Sequence, residues 1–206
     1  SILHEYMDGL RYLGRHANTL VVVLHKAVSA LLITSAMQVI QVDIAERLFI
    51  VGSSGSISLG LMWAAAGVGT GLGPLFARRF TGDRNRSLGW GMTWGYAISI
   101  VGLLAVATLE SFNVVLLGVA LRGIGGGIIW VFSTQMLLQM LPNRVRGRVF
   151  SSEFALFSLM SAIGAALTGV ALDAGLTIGQ LVSGLAVATV LPTIGWSWWL
   201  MKKSID

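Results

Sequence analysis

Apolar residues run along this chain in six long stretches set apart by short polar turns: residues 18–41, 54–77, 87–109, 112–141, 147–172 and 176–201. Each stretch is close to the ~20 residues that carry a helix across the hydrocarbon core of a bilayer. The expected fold is therefore all-α, a polytopic membrane protein whose six transmembrane helices form a bundle over residues 18–201. A polar, amphipathic segment (1–17) precedes the bundle, and a short tail (202–206) follows it.

The turns alternate in character, and that alternation predicts orientation. RRFTGDRNRS (78–87) and LPNRVRGRV (141–149) are rich in arginine, whereas LESFN (109–113) and LDAGLT (172–177) hold no Lys or Arg. One side of the bundle collects Arg11, Arg15, Arg78, Arg79, Arg84, Arg86, Arg144, Arg146, Arg148, Lys202 and Lys203, and the other only Arg47. Lys and Arg stay in the cytoplasm during insertion, so both termini are expected there. An even number of spans fits that parity.

Composition agrees. Hydrophobic residues make up 55% of the chain and charged residues 11%, whereas a soluble domain carries roughly twice that charged fraction. The net charge of +5 would suggest nucleic acid in a soluble protein, but here the cations sit in loops and serve topology. No nucleic-acid partner is expected; the bilayer itself is the expected surroundings. The chain has no cysteine, which excludes disulfides, thiolate metal sites and cysteine nucleophiles. No metal and no cofactor is expected, and no signal peptide is visible in the polar opening SILHEYMDGLRYLGRH.

Four ionisable residues fall inside the apolar stretches: His25, Lys26, Arg122 and Glu153. Lys26 lies about eight residues into the first, or ~12 Å at helical rise. Arg122 lies about ten residues into the fourth, counted from the opposite face. Near the midplane each cation costs ~2.5–3.5 kcal/mol on insertion scales, so each is expected to face a polar interior or a partner. Glu153 is shallower, roughly two turns in. A structural ion pair, or snorkelling to the interface, is the bland alternative for each of them.

The first, fourth and fifth spans carry all four groups and are expected to line a polar interior. The third and sixth carry none and read as lipid-facing walls. On the fourth span Arg122, Gly126, Trp130 and Ser133 share one stripe; on the first, Ser29 follows Lys26 by three residues and His25 by four. Small residues in AAAGVGTGLG (64–73) and RGIGGGIIW (122–130) allow close helix packing, or sliding faces in a working cycle. Pro74 and Pro192 are expected to kink their spans.

These residues resemble a known family. EYMDGLRYLGRH (5–16), SISLGLMWAAAGVGTGLGPLFARRF (56–80) and TQMLLQMLPNRVRGRVFS (134–151), with its Gln139, Pro142, Arg146, Gly147, Arg148, Val149 pattern, are similar to the C-terminal half of major facilitator superfamily transporters. The likeness is greatest to the branch of bacterial exporters of the enterobactin type. It covers essentially all 206 residues. The resemblance implies helices seven to twelve, built as inverted three-helix repeats, with residues 1–17 as the end of the cytoplasmic linker between lobes. It implies secondary active export of a small amphipathic or anionic compound by alternating access, with proton coupling an option, across the bacterial inner membrane, and no enzymatic activity. In that reading Lys26, Arg122, His25, Glu153, Trp130 and Gln135 bind substrate or form ion pairs, and Trp63 is a further cavity contact. Arg78, Arg79, Asp83, Arg84, Arg86, Arg146 and Arg148 would gate the cytoplasmic mouth, or simply set topology. The main coupling acid is expected in the other half.

The resemblance also implies a missing N-terminal six-helix lobe, or a second copy in its place. With its opening Ser1, the chain is expected to be one lobe of a longer protein. Two other classes stand beside the transporter. A membrane domain that moves nothing, as scaffold, sensor or remnant, has the same composition. An intramembrane serine protease resembling rhomboids would use Ser54 of GSSG (52–55), yet His4, His16 and His25 all precede it and none follows to serve as base. The SSGS run reads more simply as a helix cap. HEYMD (4–8) departs from the HExxH zinc pattern at Asp8.

Overall fold

The computed structural model describes residue 9 and residues 11–202, and every regular element among them is helical. Residues 1–8, 10 and 203–206 lie outside the described residues, and with them much of the expected linker, most of the tail and Lys203. Among the described residues six helices are long and apolar enough to cross a membrane: α1 (Ala17–Leu48), α2 (Ser56–Thr81), α3 (Asn85–Thr108), α4 (Phe112–Met140), α5 (Asn143–Asp173) and α6 (Ile178–Lys202).

The helix ends follow from local chemistry. Ser111 caps α4, its hydroxyl accepting from the Val114 amide at 3.4 Å. Pro142 stands at the N-cap of α5, where its missing N–H is harmless and where α4 cannot continue. Gly82, at φ +62°, closes α2 in a conformation most side chains avoid. Pro74 lies within α2 and Pro192 within α6, and both helices run on through them.

Two sequence expectations need correction. The first span does not stop near 41. It continues to Leu48, taking in Asp43, Glu46 and Arg47, because Arg47 Nε bonds Asp43 Oδ1 one turn back at 2.8 Å. Two π-helical segments, Ala30–Thr34 and Ile44–Leu48, interrupt its α-helical hydrogen bonding, and Ser35 Oγ donates to the Ala30 carbonyl at 2.7 Å. Nor does SSGS cap α2, which begins after Gly55 with no side-chain cap bond. Ser58, one turn inside, ties the loop instead by donating to the Phe49 carbonyl and accepting from the Val51 amide.

α4 is the hub. It packs against α3 on one side, α2 on another and α1 on a third; α6 lies on α3, and α5 on α1. Glycine makes the α4 crossings close. A Cβ added at Gly69 or Gly73 of α2, or at Gly123 or Gly127 of α4, would fall within 3.0 Å of the facing backbone. Gly95 and Gly102 of α3 meet Gly125 and Gly118 of α4 as closely. In lipid no hydrophobic force drives helices together, so contact at this range is where packing energy is gained.

The apolar core is in two parts. One holds Val22, Leu88, Met92, Tyr96, Phe132, Met136 and Trp196; the other holds Ile40, Ile44, Met62, Leu103, Val106, Val115 and Val119. Along α3 and α4 the level between them is occupied by buried Ser99 and Arg122. Large apolar side chains such as Trp94, Val187 and Leu191 point outward from α3 and α6, as a lipid-facing surface requires.

The glycine crossings generate a prediction. Gly123→Leu forces α2 off α4, whereas Gly184→Leu, with open space at its Cβ position, leaves the fold intact. Size-exclusion and thermal unfolding in detergent should show loss of the monodisperse, cooperatively melting species for the first substitution only.

Candidate functional site

α1, α4 and α5 meet around Lys26. Its ammonium stands 3.0 Å from each carboxylate oxygen of Glu153, with the hydrogen bond directed to Oε2, and donates to Thr134 Oγ1 at 2.7 Å. The Trp130 ring lies beneath it at 4.5 Å to the centroid, and the Phe150 ring at 5.8 Å. Thr134 can accept because its own proton goes to the Trp130 carbonyl at 2.8 Å. The Lys26 and Glu153 side chains are only 5% and 4% exposed. Such a pair offsets its desolvation by attraction plus the extra hydrogen bond, and removing one member leaves a bare buried charge.

Next to this pair a cavity of about 530 Å³ opens between α1, α2, α4 and α5. Lys26, Ser29 and Thr34 border it from α1, Trp63, Gly67, Thr70 and Gly71 from α2, Arg122, Gly126 and Trp130 from α4, and Phe157 from α5. Phe157 stands edge-on to Trp130 at 5.0 Å. Arg122 is 9% exposed, and its Nε is buried without a hydrogen-bond partner among the described residues.

Arg122, Lys26 and Trp130 thus come together on one cavity, with Glu153 behind Lys26. His25 does not join them. On a helix, neighbouring residues point about 100° apart, and His25 turns to the opposite side of α1. There its Nδ1 lies 2.8 Å from the Tyr96 hydroxyl of α3, and its ring meets the edge of Trp196 of α6 at 4.2 Å. Trp196 in turn donates to the Gly89 carbonyl at 2.8 Å. Gln135 is half-buried and borders neither the cavity nor the ion pair. Ser133 is buried and donates to the Trp130 carbonyl.

At the arginine-rich end, Arg78 pairs with Asp83 at 2.6 Å, and Gln139 Nε2 donates to the Asp83 carbonyl at 2.9 Å, joining the α2–α3 turn to α4. Arg146 reaches back to the Leu138 and Leu141 carbonyls at 2.7 and 3.1 Å, closing the C-terminal end of α4. The Arg79 guanidinium lies 5.7 Å from the centre of the Phe76 ring. Arg84 and Arg86 are exposed where α3 begins, and Arg148 is half-buried in the first turns of α5.

Sequence reasoning placed Trp63 at the cavity but missed Thr134, Tyr96 and the other α2 residues that line it. Two signals were present: Tyr96 is the one tyrosine within a span, and Gly67, Thr70 and Gly71 repeat at helical spacing on the same face as Trp63.

Six apolar helices around a charged interior define an integral membrane protein. A curated relative agrees with this class: the chain is 28% identical over 144 residues to an uncharacterised MFS-type transporter of Sinorhizobium fredii. The match takes in 67% of this chain and 35% of that protein, so the chain spans little more than a third of its relative. No family model matches the chain, and no solved structure matches it.

The buried pair yields a double-substitution prediction. Lys26→Met or Glu153→Leu alone should destabilise the bundle by about 3–5 kcal/mol, while the two together recover most of the loss. Unfolding of the three variants in bicelles checks it; additive losses would show that the pair does not couple.

Proposed function

We propose that this chain is the C-terminal lobe of a secondary transporter of the major facilitator type, moving a small amphipathic or anionic compound by alternating access. The observation that carries the reading is Arg122: a guanidinium in the middle of a membrane bundle, without a protein partner among the described residues, on the wall of a cavity of about 530 Å³. A cation held there for structure alone would be expected to have an acceptor, as Lys26 does. The similarity to an MFS-type transporter supports the same class. So does the packing: α2 lies on α4 as α5 lies on α1, the exchange expected of two inverted three-helix repeats.

In this proposal the cavity lies on the face that a second lobe covers, so that the site forms between two bundles. That partner is an N-terminal six-helix lobe, or a second copy of this chain. The arginine-rich turns face the cytoplasm of a bacterial inner membrane, with both ends on that side. The Arg78–Asp83 pair and its Gln139 tether then act as a latch at the cytoplasmic mouth, made in one state and released in another. Export, rather than uptake, rests on the family resemblance of residues 134–151. Proton coupling runs through Glu153 or through an acid of the other lobe.

In proteoliposomes of the full-length protein, Arg122→Ala and Lys26→Ala should each lower substrate flux about tenfold or more, the loss of one charge-assisted contact. Flux unchanged by both substitutions would remove the site from the transport path.

A further inference from the structure

The cavity beside α4 presents one uncommitted charge. Among the described residues, Lys26 and Arg122 are its only ionisable wall residues. Lys26 is matched by Glu153, whose two oxygens both lie 3.0 Å from its nitrogen, so that pair adds nothing to the net charge. Arg122, nine-tenths buried, has no acceptor among the described residues. The cavity therefore carries a net single positive charge. A neutral occupant leaves that guanidinium unmatched, and a dianion brings a second negative charge that nothing balances.

The walls add a shape. Trp63 of α2 and Trp130 of α4 offer aromatic rings, and glycines share the wall with Ala66, Thr70 and Ile129. A Cβ built at Gly67, Gly71 or Gly126 meets nothing within 4 Å, so these positions open onto free space, unlike the glycines at the α2–α4 crossing. A smooth floor beside aromatic rings suits a flat apolar body. The volume, about 530 Å³, is that of a site for a small organic molecule.

We propose that this cavity selects an organic monoanion with a flat, aromatic body, its single carboxylate held by Arg122, and that Glu153 sets the charge preference by neutralising Lys26. Selection by charge stands on the cavity itself; that the ligand is moved rests on the transport reading above.

The test uses the full-length protein in lipid nanodiscs and equilibrium dialysis with three probes of one shape: 2-naphthamide, 2-naphthoate and 2,6-naphthalenedicarboxylate. Empty nanodiscs correct for partitioning into lipid. The monoanion should bind about tenfold more tightly than the neutral amide or the dianion. Glu153→Gln, which frees Lys26, should reverse the order of monoanion and dianion. Arg122→Gln should abolish the preference for carboxylate over amide, while Arg122→Lys, which keeps a cation in place and guards against mere misfolding, retains it. Gly126→Leu should weaken all three probes by filling the floor.

Equal binding of amide and carboxylate by the unmodified protein, or binding indifferent to Arg122→Gln, overturns the proposal. A monoanion-to-dianion ratio unmoved by Glu153→Gln overturns the role of Glu153. Charge-ordered binding with no movement of naphthoate into proteoliposomes would instead sink the transporter reading and leave this site standing. Arg122-dependent flux of a substrate without charge-ordered binding would do the reverse.

Discussion

Within a bilayer an ammonium group has no water to return to, and Lys26 lies about a third of the way along a 32-residue helix. Its requirements organise the bundle. α5 has to bring Glu153 to it, α4 has to supply Thr134 and the face of Trp130, and the three helices must cross at one level. Once α1 is fixed to α4 and α5 in this way, its far side is committed as well. His25, one residue earlier, is carried round to Tyr96 and Trp196 and pins α1 to α3 and α6. Two adjacent polar residues thus tie one helix to four neighbours, in directions set by the 100° step of the helix.

The membrane class and the number of spans were legible in the sequence because lipid imposes a crude rule, about twenty apolar residues per crossing. The depth of Lys26, Arg122 and Glu153 was legible for the same reason. What one-dimensional reading could not supply was direction. Nothing in VVVLHKAVSALLI says that Lys26 meets Glu153, 127 residues later, rather than Arg122's cavity alone. The end of α1 was misplaced because Asp43 and Arg47 satisfy each other, so charges that looked like a helix boundary continue the helix. Beyond Trp63, the part of α2 in the wall was overlooked because it offers the cavity hydroxyl and hydrogen, not charge: Thr70, Gly67 and Gly71.

Glycine divides its labour along α4. Gly118, Gly123, Gly125 and Gly127 are places where a neighbouring backbone comes too near for a side chain, while Gly126, in the middle of the same run, faces open cavity. The GIGGG sequence therefore holds two helices against its sides and leaves a gap on its front. Arg122 stands one turn before that gap, between the two apolar cores, where packing has been interrupted. Tight crossings around α4 make its position stiff, so the guanidinium is presented by a rigid rod and not by a loop.

The π-helical segment Ala30–Thr34 gives α1 a hidden phase. Each π turn accommodates one residue more than an α turn, which offsets the helix face on one side of it from the other by about 100°. Lys26 and Met37 are in register with their separate surroundings only because that extra residue is present. Length in this helix is therefore a rotational coordinate: shedding one residue from the segment would shorten α1 by only about 1.5 Å, yet it would swing the ammonium off Glu153 while the outer half stayed seated.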